Sequence, residues 1–146
     1  MTQAAALLEA YEDLTWENFV EISDSIVQFD KNNINEELER QASVYSYYVG
    51  LLGKSKKDMD DASLKLVQFM AQTRKDKKSE TSEKQTAKDL DDYVMSHSDY
   101  FFLVTKANDA QFKYSLIRGL VQALEQKKDM LVQLSANFRA ETNLYK

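Results

Sequence analysis

The chain has 146 residues, with no proline, no cysteine, three glycines and 43% apolar residues. That leaves too little turn chemistry for a multi-stranded sheet, excludes disulfides and thiolate metal sites, and predicts an all-α domain. The formal charge of −5 argues against a generic nucleic-acid coat, but it is unevenly spread. Residues 1–53 hold 2 basic and 10 acidic groups, residues 54–88 hold 10 and 6, and residues 89–146 hold 7 and 8. An acidic front and a basic middle form the informative asymmetry.

In chain order, Met1–Asp13 is alanine-rich and then acidic, which predicts a short helix. It has neither the basic start nor the apolar stretch of a signal peptide, and no run is long enough to cross a bilayer. A soluble protein of a reducing cytoplasm is expected. Thr15 is placed to cap a helix through about Asp30, with Phe19, Ile22, Ile26 and Phe29 at helical spacing. Residues 1–31 thus form an acidic N-terminal helical segment.

Lys31-Asn32-Asn33 signals a turn, and Asn33 with Glu36 has the spacing of a capping pair. A long helix is predicted over 34–74, its apolar stripe running through Leu38, Ala42, Tyr45, Val49, Leu52, Met59, Leu66 and Met70. Gly50 and Gly53 interrupt it, as a bend or as a close approach by another helix. Residues 75–86, KDKKSETSEKQT, are polar and read as a loop at a hairpin tip.

The last stretch, 87–143, reads as one helix about 85 Å long. Thr86 is its N-cap, with Asp89 at the third position to meet the positive end of the helix. A near-heptad stripe passes through Tyr100, Leu103, Ala107, Ala110, Tyr114, Ile117, Val121, Leu124 and Leu131. The expected architecture is a single domain: an elongated antiparallel helical hairpin with a packed N-terminal helix, assembling into an oligomeric bundle or ring.

Nothing in the sequence points to an enzyme, a metal or a cofactor. His97 is the only histidine, with only Asp92 and Asp99 near it, which falls short of the ligand sets of metal sites or triads. Asp89, Asp91 and Asp92 are explained by the positive helix terminus. Neither GxGxxG nor GxxxxGK[ST] occurs, so no phosphate loop is expected.

Aromatic residues cover too much of the helix circumference for one seam. Tyr47, Tyr48, Phe101 and Phe102, with Leu116, Leu120 and Leu134, are candidates for a surface covered by another subunit. The competing reading makes them the rims of an ordinary core. The basic segment supplies Lys65, Arg74, Lys75, Lys77, Lys78, Lys84 and Lys88 as candidate phosphate contacts. Its alternative is a solvated loop with interspersed acids, namely Asp76, Glu80 and Glu83.

The segment Asp109–Glu141, DAQFKYSLIRGLVQALEQKKDMLVQLSANFRAE, carries Phe112 and Tyr114 in a heptad run, the Ala123-Leu124 step, the Lys127-Lys128 pair and an Arg139-Ala140 ending. In these features it resembles the phage recombination mediator (UvsY) family. The order of parts is similar too: acidic segment, tyrosine-bearing helix around Tyr45-Ser46, basic stretch, polar loop and long C-terminal helix. The resemblance implies a non-catalytic, ring-forming protein that binds single-stranded DNA. Such a protein helps load a recombinase while a single-strand-binding protein is displaced. By position, Lys65 and residues 74–78 are the implied DNA contacts, although the chain reads SLKLVQFMAQTRKD where the family carries a basic-aromatic run ending in tyrosine and glycine. The rival expectation is a non-catalytic scaffold or adaptor that self-assembles through coiled-coil packing. Membrane-surface binding is disfavoured because the basic segment lacks large apolar residues.

Overall fold

In the computed structural model, which describes residues 11–145, Tyr11 and Glu12 are helical and Thr15 then opens α1 (Trp16–Val27). Its hydroxyl accepts from the Asn18 N–H, and the Asn18 side chain accepts from the Thr15 N–H at 2.8 Å. This reciprocal pair satisfies donors that the first turn leaves free. The helix ends at Val27, short of the expected Asp30, because Gln28 is extended and its N–H returns to the Asp24 carbonyl. The alanine-rich stretch expected to form a short helix lies, up to residue 10, outside the described residues.

The turn after α1 is a 3-10 helix, Lys31–Asn33. It is capped by Asp30, which accepts from the Asn32 N–H at 2.9 Å and from the Asn33 amide at 3.2 Å. The expected Asn33–Glu36 capping pair is therefore replaced by an aspartate three residues earlier, whose two oxygens satisfy both asparagines. Then follow α2 (Ile34–Glu80), α3 (Ala87–Ser96) and α4 (Ser98–Leu144). The fold is all-α, with no strand among the described residues.

Two boundaries differ from expectation. Residues 75–80 are helical, so the loop is only 81–86. Lysine, glutamate and aspartate tolerate an exposed helix, and local bonds extend it: Gln72 donates to Asp76 one turn on, and the Thr81 hydroxyl donates to the Lys77 carbonyl. The expected single helix over 87–143 breaks at His97, which is extended (φ −73°, ψ 135°). The run Ser96-His97-Ser98-Asp99 explains this, since such side chains compete for backbone groups. The Ser96 hydroxyl donates to the Tyr93 carbonyl at 2.7 Å, and His97 Nδ1 accepts the Asp99 N–H at 3.2 Å. Gly119 leaves α4 uninterrupted, and a side chain at Gly50 or Gly53 would meet nothing within 4 Å, so neither marks a close helix approach.

The chain forms two compact units. The first comprises the chain up to Leu52 together with Ser115–Lys146, and the second is Gly53–Tyr114. In the first, Tyr11, Leu14, Tyr48, Leu51, Leu116, Ile117, Leu120, Val121 and Leu124 form the core, and Phe19, Ile22 and Ile26 of α1 pack on it. Here α2 and α4 run antiparallel. Gln41 donates to the Leu124 carbonyl at 2.8 Å, Tyr45 donates to Glu125 at 2.8 Å, and Glu37 pairs with Lys127 at 3.1 Å. In the second unit, Leu90 and Val94 of α3 are buried, and α2 also meets the α3–α4 stretch in the antiparallel sense through Arg74–Asp91 and Phe69–His97. No helix among the described residues is long and apolar enough to cross a membrane.

Candidate nucleic-acid interface

The basic residues singled out from the sequence all lie in the second unit. Apart from Lys65, farther back on α2, they stand on the last turns of α2, in the 81–86 loop and in the first turn of α3. Thr86 and Asp89 fix the loop exit. The Asp89 N–H donates to the Thr86 hydroxyl oxygen at 3.2 Å, while Asp89 accepts from the Thr86 N–H at 3.1 Å. The Thr86 hydroxyl, and then its backbone N–H, hold the Asp89 carboxyl below the ordinary aspartate range. Lys88 follows this cap, and the loop leads back through Lys84 to Lys77 and Lys78.

Much of the positive charge is already answered. Lys54, Lys56 and Lys57 each pair with an aspartate one turn on: Asp58, Asp60 and Asp61. Arg74 donates through Nε (2.9 Å) and Nη2 to Asp91. Lys77 lies over the Tyr93 ring, 4.6 Å from its centroid. Among the described residues, Lys65, Lys75, Lys78, Lys84 and Lys88 are exposed and form no ion pair. Lys65 stands apart from the rest. Nine residues before Arg74, it is about two and a half turns and roughly 13 Å away on the opposite side of α2. Lys75 and Lys78, three apart, share one exposed face of α2, and Lys84 and Lys88 follow in the loop and in the first turn of α3. Residues 74–92 contain six basic and six acidic groups, so the segment as a whole is neutral.

The candidate assembly residues divide sharply. Tyr48, Leu116 and Leu120 are buried in the first unit's own core, which corrects their assignment to a surface awaiting a second copy. Antiparallel packing of α2 on α4 already supplies their cover. Tyr47 is half-buried with its ring edge-on to Tyr48, centroids 5.0 Å apart. Neither phenol oxygen has a partner among the described residues, and burial pushes both phenols up from their ordinary pKa. Leu134 is half-buried, whereas Phe101 and Phe102 remain 76% and 58% exposed.

Sequence reasoning missed the most elaborate polar site. Lys127 is only 7% exposed, and its ammonium donates to the carbonyls of Ile26 (2.8 Å) and Gln28 (3.2 Å) and to Glu37 (3.1 Å). It ties the end of α1 to the start of α2, so the basic pair Lys127-Lys128 splits into one structural and one exposed lysine. Its sole signal in the sequence is a lysine interrupting the apolar row between Leu124 and Leu131. No protein-family model, no curated protein and no solved structure matches the chain.

Proposed function

We propose that the protein is a non-catalytic, self-assembling helical protein that binds single-stranded DNA and serves as a recombination mediator. The observation that supports this is the set of unpaired lysines, Lys75, Lys78, Lys84 and Lys88, around one helix end and its loop. Adjacent Arg74 is engaged by Asp91, and Lys54, Lys56 and Lys57, farther back on α2, are engaged by aspartates, so the unpaired four remain free to replace counterions along a phosphate backbone. Because residues 74–92 are neutral overall, one copy binds weakly and affinity rises when assembly brings several such ends onto one strand. Loading a recombinase onto DNA coated by a single-strand-binding protein is the role that the family resemblance adds.

Titrating a labelled oligonucleotide against salt tests this. Four phosphate contacts per copy give a slope of about −3 in log affinity against log salt, roughly a 50-fold loss between 50 and 200 mM. Replacing the four lysines by alanine weakens binding to all sequences alike and flattens that slope. Absence of binding at low salt rules out the DNA role. A second reading, a helical scaffold for another protein, draws on the exposed Leu64, Val67, Phe101 and Phe102, and it survives that outcome.

A further inference from the structure

Among its described residues the second unit buries only Ser55, Leu90 and Val94, too few for a self-sufficient core. Along its part of α4, Leu103, Ala107, Ala110 and Tyr114 are half-buried and mark the inward face. On the opposite face Phe101, Thr105, Asn108 and Phe112 are all exposed, the two phenylalanines by 76% and 48%. Their spacing is four, three, four, which keeps them on one stripe of the helix. It also reads the same in both chain directions.

A stripe with that symmetry is complementary to an antiparallel copy of itself. With a two-fold axis between Lys106 and Ala107, Phe101 of one copy faces Phe112 of the other, and Thr105 faces Asn108. Each contact occurs twice, as a closed two-fold interface requires. We propose that this face of α4 is the contact surface for a second copy of the same chain.

Size and charge both favour that occupant. At about 150–250 Å² per phenylalanine, Phe101 and Phe112 expose roughly 250 Å² per copy. Phe102, flanking the stripe with Lys106 5.5 Å from its ring centroid, adds about 100 Å². Together they form the apolar centre of an interface whose usual size is about 800 Å² per partner, with polar flanks supplying the rest. The second unit carries 12 basic and 11 acidic groups, so two copies meet there without net repulsion. The remainder of the chain holds 7 and 13, and pairing there would oppose like charges.

The contact deepens the self-assembly proposed above and is independent of DNA binding. The absence of cysteine permits a clean crosslinking test on the full chain. Thr105→Cys and Asn108→Cys are prepared separately, mixed and mildly oxidised. The expected product is the mixed dimer, severalfold above either like dimer. Predominance of the Thr105→Cys like dimer means a parallel pair and overturns the proposed arrangement. Light scattering of Phe101→Asp/Phe112→Asp, with helicity checked by circular dichroism, should show the particle mass halved. If an assembly survives both changes and no mixed crosslink forms, the chain assembles through another surface and this contact is wrong. A wild-type monomer at micromolar concentration overturns the contact and the self-assembly together.

Discussion

Removing the Lys127 ammonium tests whether the first unit depends on its buried polar tie. In Lys127→Met much of the apolar stem remains, but two carbonyls and one carboxylate lose their donor. Breaking a buried charge pair from one side costs about 3–5 kcal/mol, because the remaining charge is stranded. Glu37 retains 17% side-chain exposure, so partial hydration sets the effect at the lower end, about 3 kcal/mol. For a chain of this size that corresponds to a fall in Tm of roughly 10 °C. Trp16, the sole tryptophan, lies on α1, so its fluorescence during urea unfolding reports on the unit concerned. Lys128→Met is the internal control. Lys128 is exposed beside Asp129 at 3.5 Å, and its loss should cost less than about 0.5 kcal/mol. Equal effects from both substitutions, or a Lys127→Met change below about 0.5 kcal/mol, would refute the reasoning.

Thr86→Ala should destabilise α3 by about 1 kcal/mol, measured by thermal unfolding. Because the Asp89 pKa is lowered in the folded protein, its stabilising contribution is complete above the unfolded value near 3.8 and is lost as pH falls through the folded value. Acid titration of helicity should therefore show a shallower acid limb in Thr86→Ala than in wild type. Tyr48→Phe removes a buried hydroxyl that has no partner among the described residues, so chemical denaturation should find the variant as stable as wild type or about 0.5–1 kcal/mol more so. At the start of α4, His97→Ala deletes the acceptor for the Asp99 N–H and should cost about 1 kcal/mol, while His97→Asn supplies another acceptor and should stay close to wild type by calorimetry.

For the candidate interface, the residue types and their clustering were legible in the sequence, but their availability was not. A count of lysines cannot tell Lys57, paired with Asp61 on the next turn, from Lys78, which has no ion pair. The i, i+4 pairs were readable once the helix was assumed; Arg74–Asp91 was not, because it needs two helices in register across a loop. Phe101 and Phe102 stood out as surplus apolar surface and remain exposed, while Tyr48, Leu116 and Leu120 looked alike in pattern and proved to be core. Hydrophobic periodicity defines a stripe but does not say what covers it.

The sequence by itself determined the all-α class and the capped starts at Thr15 and Thr86, because absent proline, helical periodicity and a threonine cap act within a turn or two of chain. It also placed the turn near Lys31–Asn33, though not the aspartate that caps it. Tertiary structure alone decided that Lys127 is buried, that Arg74 meets Asp91 and that the apolar stripe divides into a covered core and a bare face. These outcomes join residues far apart in the chain, and their energies depend on which distant helix excludes water from each side chain.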